Sequence, residues 1–491
     1  MEGVPDDHVV MLQELYKDAK YVVAVNGVLT EAFDSRLGLL QGCPLSPILY
    51  SLYLKRLIIR ILQACSLWGI RIGASNLCLV NFADDITTLL MGIAFVEYFL
   101  RAVQEILKAR NQLLCRSKCK VLIIGAHDVL PTSVAGVPVV HTMKILGIQY
   151  DMDGNTKDNV DMRAGKGRSK NALAFARMSA QGCMHDPHIN LLLLNMDIRP
   201  TLLFGAAIWG HHHLHTDPMQ HPFQPIYSLL MRQAFLLPAC TAHWISTLMA
   251  GQVPIQQLII LEFVRFWARL AFSAQHNSIL KDCLFLQCTL SRANCSCWLL
   301  NWTKALLRVQ PRMLELMGDL TNWPPILPIP TKLIMRSGLD AFDSLLLGFG
   351  DPLSVESCHH RKIALHYRCF WSHTWLKKPW YTWCDMPQKV WHSWVKFVSC
   401  NADVPAQSLI RNDVRFAART CRKCTSGLVA NEHHVLLICQ ATESVRNTFR
   451  SRLSWPEPLH IGTFIRMNQR VTCAVFIQVA IHVYNSRNNV V

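Results

Sequence analysis

An adjacent pair of carboxylates, Asp84-Asp85, lies between two short apolar runs in the segment LCLVNFADDITTLL, residues 77–90. Apolar runs on both sides of a polar centre predict a β-hairpin with the acidic pair at its tip. A hairpin anchored by its apolar flanks holds carboxylates rigidly, and such carboxylates can bind divalent metal ions that stabilise attacking and leaving oxygens. An ordinary acidic surface turn has the same local pattern, so the surrounding sequence must decide.

A second segment, QGCPLSP at residues 41–47, precedes a long apolar run. Ser46 is suited to the N-cap of a helix and Pro47 to its first position, so a buried helix is predicted to begin here. Residues 20–40 predict a hairpin that turns at Asn26-Gly27. Further patterns predict helices at 5–17 and 96–110 and strands at 121–125, 137–140 and 144–150. Beyond about residue 150, helical patterns dominate.

Five segments occur in an order that resembles the palm and thumb of a LINE-type (non-LTR) retrotransposon reverse transcriptase. They are QGCPLSP, FADD at 82–85, Ser117-Lys118 before VLIIG, Leu146-Gly147, and Arg199–Trp209. The resemblance runs from about residue 5 to 270 and returns at 421–439. Intron-encoded and telomerase-like reverse transcriptases are a weaker match to FADD, QGCPLSP and the C-terminal cysteines.

The resemblance implies RNA-directed DNA polymerisation with Mg²⁺ (or Mn²⁺), an RNA template, a DNA primer or target, and deoxynucleoside triphosphates. Asp84 would be a metal ligand, Asp85 a second or supporting carboxylate, and Lys118 a charge stabiliser near the leaving pyrophosphate. Gly147 would lie in the hairpin that grips the primer. The resemblance also implies residues that line the nucleotide and template surface: Gln41, Gly42, Ser46, Pro47 and Phe82.

The family's other metal-binding aspartate lies on a strand upstream of the helix at 5–17. Asp6 and Asp7 fit the exposed first turn of that helix, where acids complement the helix dipole, and not a metal site. The expectation is therefore a C-terminal, truncated reverse transcriptase that is catalytically incomplete by itself. The alternative is a non-catalytic RNA- or DNA-binding remnant of such an element.

Positive charge is in excess, with 49 Lys+Arg against 33 Asp+Glu and a formal net charge of +16. Such an excess favours a polyanionic partner. At the start of the proposed thumb, four basic residues fall within one short segment: Arg163, Lys166, Arg168 and Lys170. They suit the backbone of a template–primer duplex, although a solvated helix face has the same pattern.

Cys421-x2-Cys424-x9-His434-x4-Cys439 has the residue types and spacing of a tetrahedral Zn²⁺ site. Clusters in this order also occur downstream of the polymerase in LINE-type proteins. Three other clusters of histidine, cysteine and tryptophan are interpreted first as parts of the fold, without a binding role. The histidines at 211–215 are predicted to be exposed, although they could also bind adventitious metal, and the cysteines at 283–297 are predicted to be buried thiols. The tryptophans at 371–394 are predicted to pack in a helical core, although their interleaving with basic residues also suits single-stranded nucleic acid.

The predicted fold class is α/β (α+β): a partial reverse-transcriptase palm, a mainly α-helical thumb and linker, and a small zinc-knuckle module. The predicted boundaries are palm 1–154, thumb 155–240, linker 241–400, zinc-knuckle-like segment 401–445 and helical tail 446–491. The chain has 19 cysteines and no secretory signal, which favours reduced thiols in the nucleus or cytoplasm. Its longest uncharged stretch, 233–261, is broken by prolines and a glycine, so no membrane span is predicted.

Overall fold

A computed structural model describes most of the chain. The described residues are 4–17, 20–34, 43–109, 112–125, 130–184, 186–239, 241, 243–318, 320, 387–398, 404, 418–457, 461–468 and 470–486. The chain forms two compact units. The first unit comprises Met1–Asn155 with Lys281–Cys283, and the second comprises Thr156–Leu280 with Leu284–Val491.

The first unit combines helices with short antiparallel strand pairs. The helices are α1 (Asp6–Lys17), α2 (Ser46–Cys65) and α3 (Ala94–Lys108). The strand pairs are β1 (Lys20–Tyr21) with β4 (Phe33–Asp34), β2 (Ala24–Val25) with β3 (Val28–Leu29), β5 (Ile70–Ile72) with β6 (Ser75–Leu77), β7 (Leu79–Phe82) with β8 (Asp85–Thr88), β9 (Ser133–Val134) with β10 (Val137–Pro138), and β11 (Thr142–Ile145) with β12 (Ile148–Asp151).

Two hairpins turn at dipeptides that the sequence singles out, although the second lies within 144–150, where one continuous strand is predicted. Asn26-Gly27 joins β2 to β3 with φ of 51° and 82°, and Leu146-Gly147 joins β11 to β12 with φ of 46° and 88°. Positive φ at both central residues matches the right-handed twist of the flanking strands, and Asn-Gly adopts it readily. By contrast, the predicted strand at 121–125 is reduced to a single parallel bridge between Val121 and Val139.

The core of the first unit lies between α2, α3 and the hairpins. Leu54, Leu57 and Ile61 recur at helical spacing on α2 and are buried against Leu100 and Val103 of α3. Leu79 of the β7–β8 hairpin belongs to the same cluster, and Ile86 packs against it. The apolar flanks of Asp84-Asp85 are therefore anchored in this core.

The start of α2 differs from the prediction by one residue. Ser46 is not the N-cap but the first residue of the helix, and Leu45 takes the cap position without a side-chain cap. The reason is that Leu45 already has helical φ and ψ of −81° and −26°, and the N–H of Ser46 donates to the carbonyl of Cys43 at 3.1 Å. Pro47 lies in the first turn, where its missing N–H costs nothing.

Helices predominate in the second unit, in agreement with the predicted change after about residue 150. They are α4 (Asn159–Ala180), α5 (Pro187–Leu193), α6 (Arg199–Leu203), α7 (Ala206–Trp209), α8 (Gln224–Ala234), α9 (His243–Met249), α10 (Ile255–Ala274), α11 (Ser278–Arg292), α12 (Trp298–Val309), α13 (Pro311–Met317), α14 (Gln388–Val398), α15 (Glu443–Phe449), α16 (Ile461–Met467) and α17 (Arg470–Ser486).

Aromatic side chains dominate the core around α10 and α12. Phe263 stacks on Trp302 with ring centroids 4.2 Å apart, and the indole N–H of Trp302 donates to the carbonyl of Ala207 at 2.8 Å. A Cβ at Gly210 would lie 2.5 Å from Ile259 Cγ2, so the chain approaches α10 there as only glycine allows.

The tryptophan-rich segment is described only near its end. Trp394 of α14 is buried, as the core interpretation predicts, and α14 packs against α17. The positions Trp371, Trp375, Trp380 and Trp383 lie outside the described residues.

Among the described helices, none is by itself both long and apolar enough to cross a bilayer. Pro187–Leu203 and Ala206–His213 pass that test only as a pair, with a 45° bend between them.

Candidate functional site

The acidic pair lies at the tip of the β7–β8 hairpin, as the sequence predicts. Leu79 pairs with Thr88 and Phe82 with Asp85, which leaves Ala83-Asp84 as the two-residue turn. Ala83 has φ of 52°, a conformation that costs a non-glycine residue about 1 kcal/mol or more. Both carboxylates are exposed. The tight turn therefore presents two solvent-facing carboxylates at the end of an anchored hairpin.

Helix α2 comes within electrostatic reach of this tip through Tyr50. Burial, and then the negative charge of Asp84, raise the pKa of the Tyr50 phenol, which belongs to the second turn of α2. Tyr50 also packs on the core cluster that contains Ile86 of β8. The segment that follows Ser46 and Pro47 is thus within electrostatic reach of Asp84. Gln41 and Gly42 lie outside the described residues.

The last turn of helix α1 contacts Cys43, which precedes α2. The Tyr16 hydroxyl lies 3.1 Å from Cys43 Sγ, and this hydrogen bond is the main cause that lowers the pKa of the Cys43 thiol. Asp6 and Asp7 are exposed in the first turn of α1, as predicted. Within the described residues, no third His, Cys, Asp or Glu joins Asp84 and Asp85 in a cluster suited to an ion.

Phe82 and Lys118, two further predicted site residues, are both exposed. Phe82 ends β7 with 66% of its surface accessible, next to the acidic turn. Lys118 ends a 3-10 turn, Arg116–Lys118. In the part of the chain that the structure describes, no hydrogen bond or ion pair joins Lys118 to Asp84 or Asp85. Gly147 occupies the β11–β12 turn, which has the predicted hairpin form.

The four basic residues predicted as a stripe on α4, Arg163, Lys166, Arg168 and Lys170, do not form one exposed surface. Arg163 is 5% exposed, its guanidinium carbon lies 4.3 Å from the centroid of the Phe204 ring, and burial lowers its pKa. Lys170 pairs with Asp197 at 2.9 Å. Only Lys166 and Arg168 are exposed. The spacing could not reveal this difference, because which face of α4 is buried depends on α6.

Cys421, Cys424, His434 and Cys439 come together as the sequence predicts. All four are buried, and their ligand atoms lie within 4.8 Å of one another. Cys421 Sγ is 3.7 Å from Cys439 Sγ, and Cys424 Sγ is 3.4 Å from His434 Nε2. Three sulfurs and one imidazole nitrogen match the donor set of a structural Zn²⁺ site.

Local backbone structure explains this convergence. Thr420 and Val429 form an antiparallel β-bridge, and the loop between them is the knuckle that contains Cys421 and Cys424. This loop turns at Gly427, which has a φ of 64°. A single π-helical turn, His434–Ile438, follows, and the N–H of Cys439 donates to the carbonyl of His434 at 2.7 Å. This five-residue step brings the last two ligands back toward the knuckle.

Neighbouring groups support the cluster. Thr442 Oγ1 donates to the carbonyls of Val435 and Cys439 at 2.6 and 3.0 Å, and Arg446 donates to Thr442 Oγ1 at 2.8 Å. The Tyr484 hydroxyl of α17 lies 3.4 Å from Cys421 Sγ. Sequence reasoning missed Tyr484, since a residue so distant in the chain carries no spacing signal.

Burial shifts the pKa values of His434 and Cys439 in this cluster. Desolvation lowers the pKa of His434, which favours the neutral imidazole that binds metals. Desolvation also raises the pKa of Cys439 to about 12. A bound cation reverses that effect for a thiol, because it stabilises the thiolate directly.

The histidine cluster and the middle cysteines differ from the predictions. His211 and His221 are buried, and burial lowers the pKa of each to about 3. The prediction of exposed histidines at 211–215 is therefore wrong. His211 is buried because it packs on Trp302, with ring centroids 5.8 Å apart, and His212, His213 and His215 are half-buried. Cys288 is buried as predicted, whereas Cys295 is exposed.

Most of the first unit matches one known protein family. Residues 4–150 match the family model described as Reverse transcriptase (RNA-dependent DNA polymerase). The matched stretch contains α1, the start of α2, the acidic hairpin, Lys118 and the turn at Gly147. By this match, residues 4–150 are similar to the reverse transcriptase family.

Proposed function

We propose that this chain is a LINE-type reverse transcriptase whose first unit is a palm for RNA-directed DNA polymerisation. The observation that carries the proposal is the position of Asp84 at a hairpin tip in electrostatic reach of α2, within a segment similar to reverse transcriptases. The LINE assignment is supported by the QGCPLSP and FADD segments and by the downstream cysteine–histidine cluster.

The exposed carboxylates of Asp84 and Asp85 fit Mg²⁺, or Mn²⁺ in its place, because hard cations prefer oxygen ligands. When bound, the ion supplies charge neutralisation at the phosphates of the incoming nucleotide. Asp84 is proposed to bind the metal ion, and Asp85 is proposed as a second or supporting carboxylate. Lys118 adds positive charge near the leaving pyrophosphate, and Phe82 offers an exposed aromatic face for stacking.

The remaining surface would hold nucleic acid. Gln41, Gly42, Ser46 and Pro47 are proposed to line the nucleotide and template surface, of which Pro47 is exposed and Ser46 is buried in the structure. Gly147 is proposed to lie in the primer-gripping hairpin. The partners would be an RNA template, a DNA primer or target and deoxynucleoside triphosphates. Of the four basic residues predicted to follow the duplex backbone, Lys166 and Arg168 are exposed, whereas Arg163 is buried and Lys170 pairs with Asp197.

We propose Zn²⁺ for Cys421, Cys424, His434 and Cys439. The donor set fits because three thiols and a neutral imidazole, all buried, have their ligand atoms within 4.8 Å of one another. Its role would be to hold the knuckle, the π-turn and α17 together, and this module would add a nucleic-acid contact.

A second function is favoured by one specific observation. Within the described residues, Asp84 and Asp85 have no third carboxylate in a shared cluster. Because phosphoryl transfer depends on charge neutralisation and positioning, a palm with one carboxylate pair is expected to polymerise poorly or not at all. The alternative is therefore an RNA- or DNA-binding protein without catalysis.

A photoreactive deoxynucleoside triphosphate distinguishes the two functions. With an RNA template, a DNA primer and excess Mn²⁺, we expect cross-linking that depends on Mn²⁺ and is lost in Asp84→Asn. Asp6→Asn removes an equally exposed carboxylate from the same unit and is expected to retain cross-linking. Salt-sensitive nucleic-acid binding, with cross-linking that Asp84→Asn leaves unchanged, would support the non-catalytic alternative.

Primer extension is the second readout of this experiment. The non-catalytic alternative predicts no incorporation above background by the 491-residue chain. Robust extension that Asp84→Asn abolishes would show that the carboxylate set is sufficient and that the chain is a complete catalyst.

A further inference from the structure

Two cysteines flank the 3-10 turn that carries Lys118. Cys115 is exposed and precedes the turn, while Cys119 is half-buried and follows it. The carbonyl of Cys115 accepts hydrogen bonds from the N–H of Lys118 at 3.1 Å and from Cys119 Sγ at 3.5 Å. The chain therefore reverses direction here and brings the second thiol against the backbone of the first cysteine.

The surroundings of Cys115 favour its thiolate. Cys115 Sγ lies 3.3 Å from the Ser117 hydroxyl. This hydrogen bond is the main cause that lowers the pKa of the Cys115 thiol. The backbone N–H of Lys118 and, to a smaller extent, its positive charge lower this pKa further. The thiolate is the nucleophilic form of cysteine, and Cys115 is open to solvent.

Cys119 is suited to the role of a resolving thiol. Burial raises its pKa, and the charge of a Cys115 thiolate raises it further, so Cys119 stays protonated while Cys115 reacts. An exposed, activated thiol next to a second cysteine is the usual arrangement of reversible oxidation sites.

We propose that Cys115 and Cys119 form a redox modification site, in which Cys115 is oxidised by hydrogen peroxide and then forms a disulfide with Cys119. The inference is independent of the proposed polymerase function, since it rests on this turn and on the surroundings of its two thiols; only the consequence for Lys118 rests on that function.

The reaction balances in two steps. The Cys115 thiolate attacks one peroxide oxygen and breaks the O–O bond, which gives a sulfenic acid and hydroxide, and the hydroxide takes up a proton to form water. Cys119 sulfur then attacks the Cys115 sulfur, breaks its S–O bond and releases a second water. Two thiols are oxidised to one disulfide while one peroxide is reduced to two waters.

The disulfide would close a ring around Arg116, Ser117 and Lys118. It would replace the Cys119 hydrogen bond to the Cys115 carbonyl and change the turn that presents Lys118. Oxidation would therefore alter the position of the amine that we assign to charge stabilisation.

Alkylation kinetics test the first step. The full chain is treated with iodoacetamide at neutral pH, and the modification of each cysteine is followed by peptide mass spectrometry. Cys115 is expected to react several-fold faster than Cys295, a matched control that is also exposed. Equal or slower reaction of Cys115 would overturn the proposal.

Peroxide treatment tests the second step. In the unsubstituted chain, the peptide with both cysteines is expected to lose the mass of two hydrogens, and dithiothreitol should reverse the change. In Cys119→Ser, the Cys115 sulfenic acid should accumulate and be trapped by dimedone, whereas Cys115→Ser should leave Cys119 reduced. Equal dimedone trapping in the unsubstituted chain and in Cys119→Ser would mean that no disulfide forms.

Discussion

Replacement of Cys439 with alanine is expected to abolish zinc binding and to unfold the C-terminal module, residues 418–486. Structural zinc sites contribute apparent binding free energies of roughly 10–16 kcal/mol, and this free energy is coupled to folding. The loss should reach α17, because its Tyr484 hydroxyl lies 3.4 Å from Cys421 Sγ and it packs against the π-turn. Zinc content per chain and amide hydrogen exchange measure the two effects.

Cys473→Ala is the matched control for this substitution. Cys473 is as fully buried as Cys439 and lies on α17, but it does not belong to the four-ligand cluster. It should keep its zinc and lose only the packing of one small side chain, about 1–2 kcal/mol. Equal zinc content in both variants, or unchanged exchange protection after chelation of the metal, would contradict a structural zinc site.

Acid is expected to destabilise the second unit well above the pH at which its carboxylates are protonated. Burial lowers the pKa of both His211 and His221 from the ordinary 6.5 to about 3. Between about pH 3 and pH 6.5, both histidines are protonated in the unfolded chain but neutral in the folded chain. The free energy of unfolding therefore falls as the pH falls. Each histidine contributes up to about 1.4 kcal/mol per pH unit in this window.

Urea unfolding at a series of pH values measures this slope. His221→Asn should make the dependence of the unfolding free energy on pH shallower, because asparagine does not titrate and its oxygen can still accept the N–H of Phe223. His188→Asn changes an exposed histidine of the same unit and should leave the slope unchanged. An equal slope in all three proteins would show that burial does not lower the pKa of His221, and would contradict this prediction.

The hairpins were predictable because their signals are local. Asn26-Gly27 combines turn chemistry with flanking apolar residues, and Asp84-Asp85 lies between apolar runs of strand length. The knuckle and the His434–Cys439 step were predictable for the same reason. The predicted N-cap at Ser46 failed by one residue, because Leu45 joins the helical turn without any side-chain hydrogen bond.

Contacts between distant segments could not be predicted. The burial of Arg163 depends on Phe204, and that of His211 depends on Trp302. Both partners lie on other elements, and a charged or polar residue on a helix or loop gives no sign of such packing. The nearness of α2 to the acidic tip is a different case, because the resemblance of both segments to one palm implies it, although the involvement of Tyr50 in particular carries no sequence signal.

The central claim is that the start of α2 and the acidic tip share one metal-binding surface, and iron-mediated backbone cleavage tests it most directly. Fe²⁺ can replace Mg²⁺ at oxygen ligands, and with ascorbate and oxygen it cuts the chain close to where it binds. Two clusters of cuts are expected, around 82–86 and around 46–51, both lost in Asp84→Asn and both retained in Asp6→Asn. Cuts confined to the tip, or a pattern that Asp84→Asn leaves unchanged, would contradict the claim.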